Sequence, residues 1–133
     1  MISRISHLGI AVKNLDAAKE MYKKLLQTEP SEPEYVAEQK VTVVKFKVGE
    51  STIELLEGTS EDSPISKFIK KRGEGIHHIA YESDNITIDL NRLDLEGFEL
   101  INKVPKTGAD NMQIAFIKPK SLGDVLTEIC QHS

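Results

Sequence analysis

Four residues able to bind a metal recur at nearly equal separations, His7 and Glu54 being 47 apart and His78 and Glu128 being 50 apart. Imidazole nitrogen and carboxylate oxygen without thiolate make a donor set for a divalent ion such as Co, Mn, Ni or Zn, and a poor one for Cu(I) or an iron–sulfur cluster. Taken singly, none of the four is informative. A histidine on a strand is usually hydrogen-bonded in a core or rim, and a glutamate near a turn usually lies at a wet edge. Glu54 and Glu128, however, alternate onto the faces that carry Thr52 and Leu56, and Leu126 and Cys130, respectively. An unpaired carboxylate on so apolar a face is costly, so each must neutralise, pair with a cation or bind a metal. Two neutral imidazoles and two carboxylates around one dication satisfy all four groups with no net charge. Cys130, two residues beyond Glu128, reads as a small core side chain.

The four residues are linked because the chain states one pattern twice. HLGIAVKNLDAAKEMYKKLL begins at His7 and HIAYESDNITIDLNRLDLEG at His78. Each opens as a strand, reaches an asparagine suited to helix capping (Asn14, Asn85) and continues as an amphipathic helix. The expected apolar helix faces are Met21, Tyr22 and Leu25, and Ile86, Leu90 and Leu93, with Gly97 as a stop signal. Extended segments follow: Pro33 to Ala37, KVTVVKFKV and STIELLE in the first half, FELIN, MQIAFIK and DVLTEIC in the second. The reading is α+β, two paired β-α-β-β-β modules: module 1 (1–58), a helical connection (59–74) and module 2 (75–133). Asp62 or Ser63 can cap the connecting helix, with Pro64 at its first turn, Gly73 at its end, and Ile65, Phe68 and Ile69 on its buried face. In GIHHIAY the paired histidines point to opposite faces, so His77 and His78 cannot serve one site together.

Composition narrows the function classes. A formal net charge of −4 argues against a general nucleic-acid binder, and no apolar run approaches the ~18 residues of a membrane span. The single cysteine excludes an internal disulfide, and the first residues read as a strand, so the expected location is cytoplasmic. An anionic small molecule is the expected partner.

Paired modules headed by histidine and closed by glutamate resemble the vicinal oxygen chelate superfamily, which includes glyoxalase I, extradiol dioxygenases and methylmalonyl-CoA epimerases. Within it, HLGIAVKNL, IELLEGTSEDSPISKFIKKRGEGIHHIA and FIKPKSLGDVLTEIC resemble the methylmalonyl-CoA epimerase family across nearly the whole chain, the segment from Asp62 to His78 being the specific part. The resemblance implies a curved, mostly antiparallel sheet around a metal held by His7, His78 and Glu128, with Glu54 where some members carry glutamine. It makes His78, not His77, the ligand, and implies a homodimer and a role in propionate metabolism, with cobalt among the candidate metals. Departures are visible. A glutamate that some epimerases carry as one of two bases falls on Val43, and the usual HPKS, GAGG and GGVL stand as KPKS from Lys118, GADN from Gly108 and GDVL from Gly123.

The expected reaction interconverts (2R)- and (2S)-methylmalonyl-CoA through an enolate. Glu54 and Glu128 are the candidate catalytic proton carriers, either as ligands that also transfer protons or with one detaching as substrate binds. Lys103, Lys106, Lys118, Lys120 and Ser121 are candidates for the acyl-CoA, with Lys70, Lys71 and Arg72 as a weaker set. Competing readings are a glyoxalase I-type lactoylglutathione lyase on the same metal, a dioxygenase using His7, His78 and Glu128 as a facial triad, and a metal-free binding protein of the same fold.

Overall fold

Asparagine at each strand-to-helix corner builds the same local structure twice. In the computed structural model, which describes residues 1–132, Asn14 Oδ1 accepts from Ala17 N at 3.0 Å and Asn85 Oδ1 from Ile88 N at 3.2 Å. These caps start α1 (Leu15–Leu26) and α3 (Ile86–Leu95), each contributing about 1 kcal/mol. Between them α2 (Pro64–Arg72) is capped by Ser63 Oγ, which accepts from Ile65 N at 3.2 Å. Pro64 there loses no hydrogen bond, and Lys70, Lys71 and Arg72 complement the negative end of the helix dipole.

The strands are β1 (Ile2–Ala11), β2 (Glu34–Val36), β3 (Val41–Val48), β4 (Ser51–Gly58), β5 (Gly75–Ser83), β6 (Lys106–Thr107), β7 (Gln113–Ile117) and β8 (Thr127–Gln131). Two units are distinguished, one of His7–His77 and one of Met1–Ser6 with the chain from His78 on.

In the first unit the strand order is β2-β3-β4-β1, with β1 and β4 parallel and the other pairings antiparallel. Val12, Leu15, Ala18, Val44, Phe46 and Leu55 form its buried core, and Ile10, Tyr22, Leu26 and Ile53 pack against it. The face of α1 expected from periodicity is corrected here: Met21 and Leu25 are 63% and 71% exposed. The stripe that packs is Leu15, Ala18, Tyr22 and Leu26, which recur at i, i+3, i+7 and i+11 and so run the length of the helix, whereas Met21 and Leu25 cover only its second half. Strand alternation then turns Val43, Lys45, Glu54 and Leu56 to the face away from α1.

In the second unit the order is β1-β5-β8-β7-β6, β1 entering with its N-terminal half; β5 and β8 are parallel, and β6-β7-β8 antiparallel. Ile86, Leu90 and Leu93 form the buried face of α3, as expected, against Ala115, Ile117 and Ile129. Glu128 and Cys130 therefore face away from α3. FELIN, expected as a strand, makes only the isolated bridge Leu100 to Ile117. Asn102 Oδ1 accepts from Phe116 N at 2.9 Å, so a side chain takes the place of a strand partner there, and the edge pairing falls to β6.

Candidate active site

The two histidine–glutamate pairs are built in the same way. In the first unit β1 lies parallel to β4 with Gly9 opposite Glu54; in the second β5 lies parallel to β8 with Ala80 opposite Glu128. In each, the glutamate stands across from the small residue two places after the histidine. A small side chain at that register position lets the carboxylate lean toward the imidazole. His7 Nδ1 is 3.4 Å from Glu54 Oε2, and His78 Nε2 is 3.3 Å from Glu128 Oε1. His7, Glu54, His78 and Glu128 are 2, 5, 5 and 4% exposed, respectively, so all four donors are withdrawn from bulk water. A carboxylate so buried must neutralise, pair with a cation or bind a metal, and an imidazole beside it completes a nitrogen–oxygen donor pair. The donor chemistry therefore fits a divalent ion of the kind expected.

Around the second pair, the Phe116 ring stands edge-on to His78 at 5.8 Å, and Phe116 is the cross-strand neighbour of Glu128. This wall was not singled out in the sequence, where only strand alternation hinted at it. Cys130 is fully buried among Ala80, Met112 and Ile114, as a core side chain. His77 takes the other face, in edge contact with Phe68 of α2 at 5.0 Å, where Arg72 also lies over the Phe68 ring. The first unit supplies an apolar wall instead: Val43, on which the resemblance places a base, is 3% exposed and directly opposite Leu56.

The residues expected to hold an acyl-CoA are placed less uniformly. Lys118 and Lys120 both reach Glu99, at 3.5 and 3.1 Å, and Ser121 Oγ accepts from Glu99 N at 2.9 Å. Lys120 first, then Lys118, holds the Glu99 carboxyl below its ordinary range, the half-exposed cluster being open to solvent screening. Lys103 lies 4.0 Å from Asp94, and Lys106 Nζ lies 6.0 Å from the Phe116 ring centroid. Lys106 thus shares a ring with His78, whereas Lys118 and Lys120 converge on the Glu99 carboxylate and Ser121 on the Glu99 backbone N–H.

A family model for the Glyoxalase/Bleomycin resistance protein/Dioxygenase superfamily matches residues 6–116. The chain belongs to this superfamily. Among relatives, the ethylmalonyl-CoA/methylmalonyl-CoA epimerase of Cereibacter sphaeroides is 36% identical over 133 residues, covering 98% of this chain and 99% of that one. An uncharacterized protein of Bacillus subtilis is 37% identical, with 98% of this chain and 93% of its own length covered. Among solved structures, Streptomyces coelicolor methylmalonyl-CoA epimerase in complex with 2-nitronate-propionyl-CoA superposes with a TM-score of 0.96 at 34% identity, covering 100% of this chain and 96% of that one. The superfamily match accords with the α+β reading of paired β-α-β-β-β modules, in which antiparallel pairings outnumber parallel ones. Among the described residues no helix is long and apolar enough to cross a membrane.

Proposed function

We propose that this protein is a metal-dependent epimerase that interconverts (2R)- and (2S)-methylmalonyl-CoA. The observation that carries the reading is the duplicated, buried histidine–glutamate pair at equivalent register in each unit, in a chain similar over nearly its whole length to epimerases that act on this substrate. His7, Glu54, His78 and Glu128 would hold one divalent ion, drawn from Co, Mn, Ni or Zn. Bound there, the ion would supply a Lewis acid for the thioester carbonyl and lower the cost of the enolate.

The chain's own work is proton transfer and exclusion of water. Inversion at C2 requires the α-proton to leave one face of a planar enolate and a proton to return to the other. A carboxylate from each half of the repeat suits that requirement, and Val43 offers no proton carrier of its own. Glu54 and Glu128 are assigned that double role, as ligands and as proton carriers. Phe116, against His78 and opposite Glu128, would give an enolate formed there an apolar neighbour that keeps water away. For the CoA arm, Lys106 is the first choice of the nominated cations, because Lys118, Lys120 and Lys103 already sit beside carboxylates. The active species is proposed to be a homodimer, on the family resemblance.

The test is proton NMR of methylmalonyl-CoA in deuterium oxide with metal-stripped protein, before and after adding Co(II) or Mn(II). Metal-dependent exchange of the α-proton together with formation of the second epimer is expected. Stoichiometric metal binding without exchange would overturn the epimerase reading and redirect attention to glutathione hemithioacetals.

A further inference from the structure

Within the first unit a cation stands directly across from Glu54. In the β3–β4 register the partner of Glu54 is Lys45, and directly opposed residues of an antiparallel pair project from the same face with Cβ atoms about 4.5–5.5 Å apart. Val44 and Phe46, on either side of Lys45, belong to the core under α1, so the Lys45 side chain leaves the strand on the face of Glu54. That face also bears Val43, Leu56 and Thr52, and Glu34, which is opposite Val43 and diagonal to Lys45. Lys47, opposite Thr52, lies further out and is exposed, whereas Lys45 is half-buried.

The backbone of Lys45 is fixed from the side that β2 does not reach. Its N–H donates to Ser31 Oγ at 3.0 Å, and its carbonyl accepts from Ser31 N at 2.8 Å. A long, flexible side chain is thus launched from a pinned point beside the candidate ligand Glu54. The local charge sets what it can do there. With Glu54 taken up by the dication, Glu34 still repels an incoming carboxylate, and a cation on the same face offsets that repulsion.

We propose that Lys45 is a specificity-determining residue whose ammonium receives the free carboxylate of the acyl-CoA substrate, so that this protein selects carboxyl-bearing acyl groups over plain ones. The proposal rests on the epimerase reading above and adds to it the group that reads the malonyl carboxylate. A lysine suits this role because its ammonium donates to a carboxylate from several directions without demanding the bidentate geometry of arginine.

Calorimetric binding of malonyl-CoA and propionyl-CoA, at fixed pH and saturating Mn(II), to wild type, Lys45→Met and Lys45→Arg tests it. Wild type is expected to prefer malonyl-CoA. Lys45→Met should lose about tenfold in malonyl-CoA affinity, the loss of one charge-assisted contact, with propionyl-CoA changed less than about twofold. Lys45→Arg should keep most of the preference. If Lys45→Met keeps the full preference, or weakens both ligands equally, the Lys45 assignment is wrong while the epimerase reading stands. If wild type binds neither ligand, the functional reading fails and the assignment falls with it.

Discussion

Replacing Glu128 by glutamine tests the metal centre by a change of sign. In the metal-free protein Glu128 is a nearly fully buried carboxylate beside His78. Glutamine preserves the volume and an acceptor oxygen while removing the charge that burial disfavours. Stability without metal should therefore hold steady or rise by about 1 kcal/mol. With metal the order reverses. A ligand present at a hundred times its dissociation constant stabilises the native state by about 2.7 kcal/mol. For a chain of 133 residues that raises the melting temperature by about 10 °C, at about 2.1 cal/mol/K of unfolding entropy per residue. Loss of an anionic ligand should weaken the ion at least about a hundredfold, the upper end of what supporting partners alone cost. At the same metal concentration the variant would then gain only about 0.4 kcal/mol, or 1–2 °C. Thermal unfolding by circular dichroism, with chelator and with Mn(II) or Co(II), reads both arms. A Glu128→Gln protein that keeps the wild-type metal shift would remove Glu128 from the centre. A variant destabilised by several kcal/mol in chelator would show that the carboxylate is needed to hold the second unit together.

Gly58→Ala should destabilise the fold by about 1–3 kcal/mol, because the new Cβ would lie 2.8 Å from Ser63 Oγ and 3.0 Å from Ser63 Cβ and would collide with Ser66 Oγ. Adding Ser66→Ala should recover part of the loss in chemical denaturation, and no recovery would mean that the Ser63 cap takes the whole strain. Asp62 accepts hydrogen bonds from Lys40 and from Ser60, which hold its carboxyl down to about 2. Because the folded value lies below the unfolded one, its contribution is present above about pH 4 and disappears as pH falls through about 2. Carboxyl NMR titration should find that low midpoint in wild type and a value near 4 in Lys40→Met; equal midpoints would refute the pairing.

The repeat, the caps and the ligand candidates were legible in the sequence because they depend on local rules. Asn14, Asn85 and Ser63 mark helix starts through hydrogen bonds spanning two or three residues, and alternation alone separates His77 from His78. The spacing of His7 to Glu54 and His78 to Glu128 is likewise readable, since each pair closes one module. Periodicity was ambiguous at α1, where Tyr22 belongs equally to a stripe with Met21 and Leu25 and to the one with Leu15, Ala18 and Leu26 that packs on the strands. It failed at FELIN, where the Asn102 side chain and a tertiary partner replace strand pairing.

The chain by itself thus determined which residue types recur and on which side of each strand they fall, because both follow from bonds between near neighbours. Strand register was decided only in three dimensions, and register is what sets Gly9 across from Glu54, Ala80 across from Glu128 and Lys45 beside the candidate ligand. Sliding a strand by a single residue would leave every local preference satisfied and turn each of those side chains to the opposite face, so only the packing of the cores under α1 and α3 selects the arrangement.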